Sequence, residues 1–200
     1  VVSGSPAEEG FLDIVKSYRD NPNVKGFRKV LHVPEMPRYS CLQQSFLNGM
    51  HCLGESGKSF DLCMRPNELG DALDLVKKCP ETQFILDHCG VPDIKGGDTR
   101  EWEKHITELA KRENLIGKIS GIIAYGDPNT WGLETVRPYF EHTVSAFGHK
   151  RIIWGSDSPV CNLGGGIENW VAATYAITND WTQEEKKSLF WDNAMELWNI

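Results

Sequence analysis

The sequence predicts an α/β fold in which parallel strands alternate with helices. Six short apolar segments, each ending in turn-forming or polar residues, alternate with stretches whose apolar residues recur every three or four positions. The repeat is roughly 30 residues, the length of one β-α-β unit. None of the predicted strands is followed by the glycine-rich signatures of dinucleotide or nucleoside triphosphate binding. A barrel is therefore favoured over a doubly wound sheet.

The number of units leaves two alternatives for the predicted sheet. A complete (β/α)8 barrel usually takes about 250 residues, whereas this chain has 200 residues and six predicted strands. Either the sheet is open, or the chain lacks the first two β/α units of a barrel.

Composition and charge favour one globular domain over residues 1–200. The hydrophobic fraction of 40% is enough for one core, and the net charge of −7 is spread without a basic stripe, which argues against a nucleic-acid partner. No apolar run reaches the length of a membrane span, and the first twenty residues lack the pattern of a signal peptide. We expect a cytoplasmic protein with no membrane partner.

The cysteines predict neither a zinc cluster nor a disulfide framework. The six are scattered along the chain and form no C-x-x-C pair. We expect them to be reduced thiols.

The first three predicted strands are a fragment at Val1, the segment 24–32 (VKGFRKVLH) and the segment 60–66 (FDLCMRP). The helix after the first strand begins near Phe11 and is stopped by Asn21-Pro22, and the next covers Cys41 to Leu53. Pro66 opens a third helix, since proline suits the first helical position, and Pro80 ends it.

The second half of the chain repeats this pattern. Strands are predicted at 84–90 (FILDHCG), at 115–121 (LIGKISG) and at Ile152–Trp154. Each is followed by a helical pattern, and the last helix begins with the capping-box sequence Thr182-Gln183-Glu184-Glu185.

The segment 151–160 (RIIWGSDSPV) carries the first candidate functional residue. Asp157 follows a buried strand, at the strand end where parallel α/β folds gather ligands and catalytic side chains. A purely structural alternative is that Asp157 caps the following turn through its own backbone, as Asp often does.

Six blocks of the sequence together resemble a known family. They are VKGFRKVLH, FDLCMRP, FILDHCGVPDI, GKISG, RPYFEHTVSAFGHKRIIWGSDSPV and the terminal DNAMELWNI. In this order and separation they resemble the amidohydrolase-related proteins, and within them the lactonase branch that includes fuconolactonase, rhamnonolactonase and pyrone-dicarboxylate lactonase. The resemblance implies a (β/α)8 TIM-barrel fold.

Aligned by these blocks, Val1 falls in the third strand of the family barrel. The family's first strand ends in a His-x-His pair that binds metal or helps to hold the substrate carbonyl, and none of the six histidines here forms such a pair. The expectation is a barrel that lacks its first two β/α units. Its exposed strand edges would then favour self-association.

The resemblance implies roles for Asp157 and His88. Asp157 matches the family's strand-end Asp, which takes the proton from the attacking water. His88 matches a histidine that ligates metal or polarises the carbonyl. Both are therefore candidate ligands for one divalent metal, zinc or manganese, although some members of the family use none. From the residues alone, a strand-end histidine that hydrogen-bonds to a loop is the favoured interpretation of His88, and the resemblance reverses this preference.

Three cationic residues are candidates for substrate binding. Arg28, Arg65 and Lys118 lie near predicted strand ends, where positive groups can hold a carboxylate, hydroxyls or a developing oxyanion. The alternative for Arg65 and Lys118 is a solvated side chain or a pair with a nearby carboxylate.

Two classes of function follow from these residues. The first is a hydrolase that opens a small sugar-acid or dicarboxylate lactone with an activated water; a decarboxylase of the same superfamily is a close variant. The second is a non-catalytic relative that acts as a binding or scaffold protein. The retained Asp157 and His88 favour the first, and the absent His-x-His pair favours the second.

Overall fold

A computed structural model describes all residues 1–200 and contains one six-stranded parallel sheet. Its strands pair in chain order, and β1 and β6 form the two edges. The strands are β1 (Val2–Ser3), β2 (Gly26–Val30), β3 (Ser59–Cys63), β4 (Phe84–Leu86), β5 (Leu115–Ser120) and β6 (Ile152–Gly155). The predicted alternation of parallel strands and helices is confirmed.

Helices follow every strand and bury their apolar residues in a single core of 41 side chains. They are α1 (Phe11–Ser17), α2 (Gln44–Glu55), α3 (Leu69–Lys78), α4 (Arg100–Ala110), α5 (Leu133–Phe147), α6 (Ile167–Ile177), α7 (Gln183–Lys187) and α8 (Asn193–Trp198). None of these helices is both long and apolar enough to cross a membrane.

Local signals in the sequence place several helix ends correctly. Pro66 begins a 3₁₀ turn that leads into α3. Thr182 caps α7, since its hydroxyl accepts from the Glu185 amide at 3.2 Å while the Glu185 carboxylate accepts from the Thr182 amide at 2.8 Å. The helix predicted to end at Leu53 continues to Glu55, so Gly54 does not stop it.

The strand predicted at 84–90 is shorter than the sequence suggests. It ends at Leu86, and Asp87–Gly90 form a 3₁₀ turn in which His88 and Cys89 have φ values of 54° and 52°. These left-handed conformations turn the chain away from the strand direction, because a β-strand requires negative φ. The apolar run in the sequence gives no sign of this change from extended to left-handed backbone.

Arg28 and Lys118 lie inside strands rather than at their ends, which corrects their predicted placement. Arg28 is the third residue of β2 and is paired in register with Asp61 of β3. Lys118 lies within β5 and also reaches Asp61. Since alternate residues of a strand share one face, these charged side chains lie together on the face opposite to their apolar neighbours.

All six cysteines are buried free thiols, as predicted. Cys63 lies at the end of β3, among the charged residues of the site described next.

Candidate active site

His88 and Asp157 meet at the carboxyl ends of the strands. His88 lies in the turn after β4 and Asp157 in the loop after β6, and His88 Nδ1 is 3.7 Å from Asp157 Oδ2. His88 Nδ1 also lies 2.8 Å from the hydroxyl of Ser120, the last residue of β5. The structure therefore brings the two predicted catalytic residues together, and Ser120 joins them.

Both residues are held in strained backbone conformations. His88 has a φ of 54° and Asp157 a φ of 57°, the left-handed region that costs a non-glycine residue roughly 1 kcal/mol or more. Gly121, with a φ of 51°, allows the Asp157 loop to approach, since a Cβ at Gly121 would lie 2.3 Å from the Asp157 Cβ. Strain of this kind is concentrated at functional sites.

A buried group of four charges lies beneath His88. Asp87 is fully buried, with Oδ2 3.1 Å from Arg28 Nε and Oδ1 3.0 Å from Lys118 Nζ. Lys118 Nζ also donates to Asp61 Oδ2 at 3.1 Å. Two cations thus neutralise two carboxylates, and Arg28, Asp61 and Lys118 line a cavity of about 360 Å³ beside β1.

The burial of this group shifts its protonation equilibria. Burial, together with the charge of Asp87, raises the pKa of Asp61 to about 6. Burial opposes the charged form of Lys118, yet Asp87 and Asp61 outweigh it and raise the pKa of Lys118. Both cations therefore stay charged and stabilise the two carboxylates.

His88 and Asp157 have environments suited to different roles. Burial lowers the pKa of His88, so its ring is neutral near pH 7. Burial, together with the Asp87 charge, raises the pKa of Asp157 despite the opposing effects of His88 and Arg28. Asp157 Oδ2 is buried and accepts no hydrogen bond from the protein, which leaves it free for a bound water or ligand.

Arg65 is held by the β2–α2 loop and by Glu68. Its guanidinium donates to Glu68 Oε1 at 2.7 Å, to the Met36 carbonyl at 3.1 Å and to the Val33 carbonyl. Its predicted contact with substrate stays a prediction, and these bonds give it a structural role between the β2–α2 loop and the start of α3.

One group of side chains has the proximity expected of metal ligands. Donor atoms of Cys63, Asp87 and His88 lie within 4.8 Å of one another. However, Arg28 Nη2 donates to Cys63 Sγ at 3.4 Å and the same guanidinium pairs with Asp87, so a cation of the protein already occupies this position. Burial and Asp87 also raise the thiol pKa of Cys63 to about 12, whereas a metal requires the thiolate.

The group of Cys63, Asp87 and His88, as arranged around Arg28, therefore does not fit a divalent ion. Within residues 1–200, the predicted ligands His88 and Asp157 supply two donors, whereas stable zinc sites use three or four.

Sequence reasoning missed four residues that shape the site: Cys63, Asp61, Asp87 and Ser120. A signal was available for two of them. Asp61 is a lone charge in a strand that is otherwise apolar, and Asp87 immediately precedes the predicted catalytic histidine. The contacts of Cys63 and Ser120 depend on strand register, which the sequence does not reveal.

The family model described as Amidohydrolase matches residues 1–200. The chain belongs to the amidohydrolase family. It is 31% identical over 180 residues to the uncharacterized protein y4mH of Sinorhizobium fredii, covering 90% of this chain and 59% of that protein. It is 34% identical over 114 residues to L-fucono-1,5-lactonase of Burkholderia ambifaria, covering 57% of this chain and 39% of that enzyme. The chain thus spans less than two thirds of these relatives.

A solved amidohydrolase from Burkholderia multivorans with bound zinc has the same fold. The TM-score is 0.90 at 21% identity, over 98% of this chain and 72% of that chain. The six strands of residues 1–200 are therefore part of an α/β fold of the TIM-barrel type, as the sequence predicted.

Replacing Gly121 with alanine tests the close approach between β5 and the Asp157 loop. We expect Gly121→Ala to lower the free energy of unfolding by about 2 kcal/mol more than Gly57→Ala, because the added Cβ collides with Asp157. Gly57 is the matched control, since it has a φ of 63° but no atom within 4 Å of the added Cβ. Urea unfolding measures both changes, and equal losses would contradict the close approach.

Proposed function

We propose that this amidohydrolase hydrolyses a small lactone. The observation that carries the proposal is the pair of His88 and Asp157 at the strand ends, with Asp157 Oδ2 free of any protein donor. The resemblance to L-fucono-1,5-lactonase supports the same class of reaction.

The reaction needs an activated water and a polarised carbonyl. Asp157 accepts a proton from the water as its oxygen attacks the lactone carbonyl carbon, and the raised pKa makes Asp157 a stronger base than an ordinary aspartate. A neutral His88 donates a hydrogen bond to the carbonyl oxygen as it gains negative charge. The ring C–O bond then breaks, and the ring oxygen takes up the proton to give a hydroxy acid.

The charges around the site favour a neutral substrate. Arg28 and Lys118 are both paired with Asp87 or Asp61, which leaves the negative charge of Asp157 in excess. Arg65 is paired with Glu68. Because none of these three cations is free, they offer a substrate carboxylate no unpaired partner, and Asp157 would repel it. A hydroxylated sugar lactone therefore fits better than a dicarboxylate lactone or the acid substrate of a decarboxylase.

Removing the proposed base tests the reaction. We expect Asp157→Asn to lower kcat for a neutral aldonolactone by about 10²- to 10⁴-fold, because the amide cannot accept the proton of water. Circular dichroism should show an unchanged fold. Asp180→Asn, at an exposed position far along the chain, is the control and should keep the parent rate. A fully active Asp157→Asn variant, or a folded parent without turnover on any lactone, would overturn the proposal.

The substrate preference has an electrostatic test of its own. We expect kcat/KM to be at least about tenfold higher for neutral aldonolactones than for a pyrone dicarboxylate, because the site carries excess negative charge. Added salt should raise kcat/KM for the dianion by screening this repulsion and leave the neutral substrate unaffected. A salt-induced fall in kcat/KM for the dianion would instead indicate an unpaired cation in the site.

A further inference from the structure

The ring of His88 is contacted on both nitrogens, and the two contacts differ in kind. Nε2 lies 3.3 Å from Arg28 Nη2, and Nδ1 lies 2.8 Å from Ser120 Oγ. A guanidinium has only N–H donors and stays protonated in proteins, so in its contact with Arg28 the Nε2 atom must accept. A neutral histidine that accepts at Nε2 carries its proton on Nδ1.

The contacts at Nδ1 do not determine the tautomer by themselves. The Ser120 hydroxyl can either donate or accept, and it rotates to suit its partner. The Ser120 carbonyl at 3.3 Å and Asp157 Oδ2 at 3.7 Å are both acceptors and agree with a proton on Nδ1. Among the hydrogen-bonding partners of the His88 ring nitrogens, Arg28 can therefore only donate, and it determines which nitrogen carries the proton.

Several contacts hold Arg28 in place, so that it can determine the tautomer of His88. The fully buried Asp87 lies 3.1 Å from its Nε, and the Cys63 sulfur accepts from the same Nη2 at 3.4 Å. Lys118 fixes the other Asp87 oxygen at 3.0 Å. The nearby positive charges of Arg28 and Lys118 also disfavour a second proton on the buried ring.

We propose that Arg28 is a positioning residue that holds neutral His88 as its Nδ1–H tautomer, so that the ring presents an N–H donor on the side of Asp157. This assignment rests on the proposed function for its purpose, since the proposed reaction requires an N–H donor to the lactone carbonyl on this side of the ring. It also assigns the two catalytic tasks: His88 is the hydrogen-bond donor, and Asp157 is the base. While Arg28 occupies Nε2, that nitrogen is closed to a metal.

The tautomer is measured directly by NMR. Two-dimensional ¹H–¹⁵N spectra of protein labelled with ¹⁵N-histidine distinguish the Nδ1–H and Nε2–H forms, and the His88 signals are identified by their loss in His88→Asn. We expect the parent to be in the Nδ1–H form. In Arg28→Met the ratio of Nδ1–H to Nε2–H should fall by about tenfold or more, the change expected when a hydrogen bond from a charged donor is lost. Arg38→Met is the matched control, since Arg38 is half exposed and pairs with Asp71 instead.

If Arg28→Met does not fold, a second variant, Ser120→Ala, tests the same assignment. Ser120→Ala removes the ambivalent hydroxyl but leaves Arg28 in place, so the Nδ1–H form should persist. A parent in the Nε2–H form, an unchanged ratio in folded Arg28→Met, or a switch of tautomer in Ser120→Ala would overturn the proposal. Because the readout is spectroscopic, an Nδ1–H parent without lactone turnover would refute the proposed function and leave this assignment standing.

Discussion

The interior of this amidohydrolase depends on the pairing of one fully buried carboxylate. Asp87 has no exposed surface, and an unpaired charge at such a position would cost several kcal/mol. Arg28 from β2 and Lys118 from β5 compensate it from either side, so one residue in the turn after β4 ties these two strands together. Lys118 also donates to Asp61, and Arg28 also contacts the ring of His88. The ion pairs that compensate the burial of the Asp87 charge thus also position the side chains of the site.

The geometry of the candidate site is set by strand ends and backbone strain. Short buried strands give a rigid frame, and the chain turns sharply at the point where each candidate catalytic residue is presented. His88 and Asp157 adopt left-handed conformations that the surrounding packing must maintain, and Gly121 leaves the room that Asp157 needs. Rigid placement of this kind suits a reaction whose water and carbonyl must be aligned before chemistry begins.

The sequence predicts the fold and the residues His88 and Asp157, but not how the charges pair. Short apolar runs that alternate with helical patterns identify all six strands, and the pattern is clearest for β3 and β4, which are buried on both faces. Whether Lys118 meets a substrate or Asp61 depends on strand register, which no local pattern encodes. The same holds for Arg28, which the sequence marks as a substrate contact and the structure places against Asp87, Cys63 and His88. The turn at 87–90 was missed because strained left-handed residues leave no signature in composition.

We propose that His88 and Asp157 flank the position of the lactone carbonyl. A crystal structure with a hydrolysis-resistant lactam analogue of a neutral aldonolactone would test this arrangement. We expect the lactam oxygen within hydrogen-bond distance of His88 Nδ1, with the carbonyl carbon facing Asp157 Oδ2. A lactam whose carbonyl is held by Arg28 or Lys118, without contact to either His88 or Asp157, would contradict it.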